Sequence, residues 1–177
     1  MRISNIWEAL YAHLESGYDV PWVPTRRSLI PHILRLARIR KGTVFYDLGC
    51  GDGRVAIEAA RLGAYAVCVE IRSDLIKLAQ RHAENKGVQD RIKFVNADFR
   101  DVDLSDADAV YMYLLTRVNE ILRPKLEKEL RIGARIITLD FTIPLWRPVH
   151  IERYYTGNIP RVLYLYIKGV SDIYWHL

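Results

Sequence analysis

From Thr43 onward the chain alternates short apolar runs with longer amphipathic stretches, and that rhythm leaves few folds open. The runs at 44–48, 66–70, 92–96, 109–113 and 135–141 have the length and composition of buried strands. Stretches with helical spacing lie between them at 54–61, 73–86 and 118–130. Strands separated by helices pair in parallel, with the helices covering both faces of the sheet. The end of the chain breaks the rhythm. There, 150–155 and 162–167 are strand-like runs joined by TGNIP, in which Gly157 and Asn158 suit a tight turn. We therefore expect an α/β fold: a doubly wound, mostly parallel seven-stranded sheet finished by an antiparallel hairpin.

What precedes Thr43 is different in kind. Ile3, Trp7, Leu10 and Leu14 recur at helical spacing, too few in a row to cross a bilayer, so no membrane insertion is expected. Pro21 and Pro24 then punctuate a loop, and a helix is predicted over 26–37. With 177 residues, half of them hydrophobic, the chain suits one domain. In that reading 1–41 supplies helices and a loop capping a site on the core formed by 42–177. The two cysteines, Cys50 and Cys68, are weak evidence for a bridge and too few for a zinc cage, which points to a reducing, cytoplasmic setting. His13, His32, His82, His150 and His176 lack metal-ligand spacing, so no metal is expected. The net charge of +5 is spread over scattered helix faces; nucleic acid is a partner it permits but does not favour.

The chemistry concentrates in VFYDLGCGDGR, residues 44–54. An apolar strand runs into Gly49, Gly51 and Gly53, and a helix follows; such a turn lets the backbone approach a ligand closely. The G-x-G-x-G spacing departs from the pattern that holds a dinucleotide pyrophosphate. Asp47, just before the glycines, would oppose a phosphate but suits a ligand bearing an ammonium. Two more carboxylates end later strands: Glu70, suited to a ribose diol, and Asp98, suited to an adenine amino group with Phe99 against its ring. Three carboxylates at successive strand ends of an open α/β sheet point to one ligand cleft.

DLGCGDGR, CVE and NAD resemble the S-adenosylmethionine signatures of class I methyltransferases with a Rossmann-like fold. VPWVPT at 20–25, YLLTRVNEILRPKLEKEL at 113–130 and GARIITLDF at 133–141, with Trp146, narrow the resemblance to archaeal protein-lysine methyltransferases and their mitochondrial relatives. Trp22 stands where the family usually has Tyr, and Leu139 where it often has His. The resemblance implies S-adenosylmethionine as cofactor and exposed lysines of proteins as acceptors. It also implies that Thr25 contacts the methionine carboxylate. From their positions, the backbone of Gly49 and Gly51 is expected to touch the cofactor, and Tyr113, at the end of the fourth strand, to stand near the transferred methyl. Trp22, Tyr113 and Trp146 are expected to wall an acceptor channel, with no dedicated general base. A monomer is expected.

Three rivals follow from the same residues. A nucleic-acid methyltransferase suits the basic balance, yet the fourth strand leads into YLLT, without the Asn/Asp-Pro-Pro-aromatic tetrapeptide of base-amine methylation. A small-molecule methyltransferase would need more chain to enclose its acceptor. A non-catalytic S-adenosylmethionine-binding module has no reason to keep Asp47, Glu70 and Asp98 together.

Overall fold

The computed structural model describes residues 22–173; the apolar stripe read at 3–14 and the last four residues lie outside the described residues. The strands are β1 (Val44–Leu48), β2 (Tyr65–Val69), β3 (Ile92–Val95), β4 (Ala109–Met112), β5 (Arg135–Leu139), β6 (His150–Thr156) and β7 (Ile159–Ile167). They form one sheet in the order β3-β2-β1-β4-β5-β7-β6. The first five are parallel, and β7 runs antiparallel to both β5 and β6. Chain direction across the sheet reverses between β1 and β4, the switch point at which such sheets open a crevice beyond their strand ends.

The α-helices among the described residues are α1 (Ile30–Leu36), α2 (Arg54–Arg61), α3 (Ser73–Asn85) and α4 (Thr116–Glu129). Side chains alternate along each strand, so every strand feeds two cores. Phe45, Cys68 and Ile137 meet Ile33 of α1, Ile57 of α2 and Ala79 of α3 on one face. Tyr46, Val67 and Ile136 meet Val118, Leu122 and Leu126 of α4 on the other. Burial on both faces explains why these strands read as near-continuous apolar runs.

Element ends differ from the sequence reading where one residue overrides the pattern. Pro31 lacks an N–H and fits the first turn of α1, so residues Arg27–Leu29 ahead of it form only a 3-10 turn. The fifth strand stops at Leu139 because Asp140 adopts a left-handed φ of 62°. Helix α4 begins at Thr116 and runs through Pro124, whose ring sits on the exposed side. The final hairpin is longer than expected. Pro160 pairs with Tyr155 of β6, and β5 engages β7 only from Leu163 onward, so the missing donor interrupts no central ladder.

Candidate active site

A cleft with an open volume of about 1020 Å³ lies beyond the C-terminal ends of β1, β2 and β4. Asp47 forms its floor. The residue is 2% exposed, and its Oδ2 accepts one hydrogen bond, from the Ala56 amide of α2 at 3.2 Å. Burial pushes its carboxyl up to about 8, and the charges of Asp52 and Glu70 add to the shift against the opposing Ala56 amide. A buried carboxyl with a single donor is matched by a ligand that brings a positive charge of its own.

The glycine loop binds back onto β2. Amides of Gly49 and Cys50 both donate to the Val69 carbonyl, at 2.9 and 3.0 Å. The Gly51 amide donates to Glu70 Oε2 at 3.0 Å, while Oε1 of the same carboxylate accepts from the Arg72 amide at 3.0 Å. Each oxygen keeps a further lone pair, enough for the two hydroxyls of a ribose. Asp98 caps the 3-10 turn Phe99–Asp101 through the Arg100 amide at 2.8 Å, and the Arg100 guanidinium holds its carboxyl below the usual range. Both Asp98 and Phe99 line the cleft, as do Trp22, Thr25, Gly49, Glu70 and Tyr113.

Two of the predicted residues lie elsewhere. Gly51 does not form the cleft wall. Its N–H is taken by Glu70, and a Cβ at this position, with φ at 56°, would stand 2.3 Å from Nε1 of the Trp22 indole. The absence of a Cβ at this glycine makes room for the indole of Trp22. Trp146 does not line the cleft. It is 5% exposed in the α4-side core, donates from Nε1 to Glu127 at 3.0 Å and meets Tyr166 edge-on at 6.1 Å.

A third correction concerns the cysteines. Cys50 and Cys68 form a disulfide, with Cα atoms 5.3 Å apart, so the expectation of unbridged thiols fails. Parallel pairing of β1 and β2 carries the loop after β1 alongside β2, and the bridge ties the glycine loop to that strand. Intracellular proteins of heat-loving organisms also carry disulfides, so the bridge assigns no compartment.

Several residues were missed. Tyr111 sits across from Asp47 in the β1–β4 register, and its hydroxyl shares a buried 2.8 Å hydrogen bond with the Thr25 hydroxyl. Arg54 pairs with Asp52 at 2.6 Å and donates to the Thr25 carbonyl at 3.0 Å, stapling the arm to the glycine loop. The DGR ending of the motif carried that pair in plain view. Beyond Tyr113, Arg161 of β7 donates both to the Tyr113 hydroxyl, at 2.8 Å, and to Asp140 Oδ2. Tyr113 donates to that same Asp140 oxygen at 3.2 Å. Burial raises the Tyr113 phenol, which the Arg161 charge partly offsets.

A ligand carrying a cation, a diol and an aminated ring would find complements in Asp47, in Glu70, and in Asp98 with Phe99, all of which line this cleft. S-adenosylmethionine meets all three, and the sheet with its one reversed strand, β7, defines a methyltransferase of the Rossmann-like kind that depends on it. Residues 47–150 match the ANTKMT methyltransferase domain, and the chain belongs to that family. It is 42% identical over 152 residues to a protein-lysine N-methyltransferase of Saccharolobus islandicus (strain REY15A), covering 85% of this chain and 94% of that one. It is 31% identical over 159 residues to the adenine nucleotide translocase lysine N-methyltransferase of Mus musculus, covering 85% and 68%. Among solved structures it is similar to an RNA methyltransferase from Salinibacter ruber in complex with S-adenosyl-L-homocysteine. The TM-score is 0.79 at 37% identity, covering 85% of this chain and 96% of the other.

Proposed function

We propose that this protein transfers methyl groups from S-adenosylmethionine to lysine side-chain amines of other proteins. The observation that carries the reading is the kinship with two lysine methyltransferases, one of which the chain matches over 94% of its length. When bound, the cofactor supplies a methyl group already activated on a sulfonium. The residues of this chain then have to bind, orient and exclude water, which is catalysis by positioning.

Asp47 takes the methionine ammonium, Glu70 the ribose hydroxyls, and Asp98 with Phe99 the adenine; Gly49 offers its backbone at close approach. Thr25 and Arg54 both line the cleft and supply a hydroxyl and a guanidinium for the methionine carboxylate. The Trp22–Thr25 arm caps this end, in keeping with 1–41 serving as a lid on the core in a single domain. Tyr113, at the end of β4, borders the acceptor, and Trp22 closes the cleft above it. Desolvation beside a sulfonium favours the neutral amine, so no dedicated base is assigned. A monomer acting in the cytoplasm completes the proposal; light scattering should return a single-chain mass, and a larger mass overturns that half of it.

The Salinibacter relative's name favours a second reading, methylation of RNA. Arg38, Arg40, Lys41 and Arg135 do line a concavity with Asp108, but it opens at the N-terminal ends of the strands, on the rim opposite the cleft. A polyanion held there would not reach the cofactor by the same contacts. Incubation with methyl-labelled cofactor and, in parallel, a lysine-rich histone fraction, tRNA and duplex DNA decides the matter. We expect label on lysine; label on nucleic acid alone overturns the reading.

A further inference from the structure

We infer that Arg161 governs the protonation of the acceptor amine by neutralising Asp140 behind the wall of the cleft; the inference rests on the amine acceptor proposed above. A nitrogen attacks a methyl carbon only through a free lone pair, and a lysine amine is protonated at neutral pH in water. A carboxylate close to the acceptor would hold it as ammonium. Asp140 is such a carboxylate. Its Oδ2 lies 3.2 Å from the hydroxyl of Tyr113, a residue that lines the cleft, so an amine that reaches that hydroxyl is at most ~6 Å from the charge.

The fold fixes Asp140 in this position. Its Oδ1 accepts from the Val162 amide at 3.0 Å and its own amide donates to the Val162 carbonyl at 2.7 Å. The same β5–β7 junction delivers Arg161, which pairs with it. A guanidinium stays charged at any working pH, so the pair is neutral overall. Tyr113 donates its proton to Asp140 and accepts one from Arg161, which leaves one lone pair on its oxygen for an amine N–H. Orientation and charge thus come from one triad.

The other groups around it do not replace Arg161. Tyr111 of β4 is committed to Thr25. Asp47 of β1 lies deeper in the cleft, where the cofactor's ammonium meets it. Tyr154 of β6, opposite Arg161 in register, gives its hydroxyl to Glu152. Phe141 stacks on the Tyr113 ring at 6.1 Å and brings no charge. Arg161 is therefore a positioning residue, acting through Asp140 and Tyr113. In the reaction the ammonium loses its proton to water. The nitrogen lone pair then forms the new N–C bond as the S–C bond breaks, its electron pair staying on sulfur.

The test is the pH profile of kcat/KM for the full chain between pH 6 and 10, with the histone fraction as acceptor and cofactor affinity followed by calorimetry. Arg161→Met should move the acid limb upward by about one to two pH units, the displacement expected from a unit charge ~6 Å away at an effective dielectric near 20. At pH 7 that is a loss of at least about tenfold, shrinking toward wild type above pH 9.5, with cofactor affinity unchanged. Asp140→Asn should move the limb the opposite way, Arg161→Lys should leave it in place, and Asp140→Asn/Arg161→Met should return it near wild type. A loss in Arg161→Met that is equal at every pH, or a double variant as displaced as the single one, overturns the inference while leaving lysine methylation intact. Wild-type label on RNA alone overturns the amine reading and this inference together.

Discussion

Asp47→Asn should make the protein more stable at alkaline pH and a poorer binder of its cofactor. The carboxyl ordinarily titrates near 3.8 and is pushed up to about 8 in the fold, chiefly because burial strips its hydration. The sign follows from linkage. A folded pKa above the unfolded one means the native state holds the proton more tightly. The stability this group contributes is complete below pH 3.8 and is lost as pH rises through about 8. Each pH unit in between costs about 1.4 kcal/mol, so the full interval sets a ceiling of roughly 6 kcal/mol. Water entering the open cleft lowers the observable loss to about 2–3 kcal/mol by pH 9. Asparagine keeps the shape and cannot ionise, so melting by circular dichroism should show the variant ahead by about 5–10 °C at pH 8.5 and level at pH 4.

Binding gives the opposite result. Without the charge, affinity for S-adenosylmethionine should fall by about 1–3 kcal/mol. Calorimetry at pH 7 in buffers of different ionisation enthalpy should detect close to one proton released per cofactor bound by the wild type, and none by the variant. Equal melting curves from pH 6 to 9, together with no proton release by the wild type, would refute the argument.

Gly51→Ala drives a Cβ into the Trp22 indole and should lower Tm by several degrees; adding Trp22→Ala should recover part of that loss in a thermal melt. Cys50→Ser should lower stability by about 3 kcal/mol, the scale for a closed loop of this length, and render the melt insensitive to a reducing agent. Trp146→Phe removes the hydrogen bond to Glu127 from a packed core, so denaturant melts should show a loss of about 1–2 kcal/mol while kcat/KM stays within about twofold of wild type.

The cofactor half of the site was legible because its carboxylates stand where apolar runs stop. In a parallel sheet each such stop is a strand end, and all strand ends of one kind share a rim; Asp47, Glu70 and Asp98 could be gathered on that ground alone. The acceptor half follows another logic. Asp140 read as the interior of a strand, and Arg161 lay near a turn. Only the antiparallel register of β5 and β7 sets them side by side, and register between strands separated by a loop and by β6 leaves no local trace. Trp146 failed for a related reason, since an aromatic in an irregular segment has no period from which to read its face. The packing of Trp22 over Gly51 was not legible, because a motif glycine does not name the side chain that occupies the space its missing Cβ leaves. The Cys50–Cys68 bridge depended on knowing which two strands are adjacent.

The shared family segment ends at residue 150, and the final hairpin begins there. Arg161 lies on β7 outside that segment, whereas Asp47, Glu70 and Asp98 lie within it. Substitution along β7 could retune which nucleophiles are methylated, and at what acidity, without disturbing affinity for the methyl donor. The last hairpin is thus the first segment to exchange in a variant meant to accept a different nucleophile while keeping the same methyl donor.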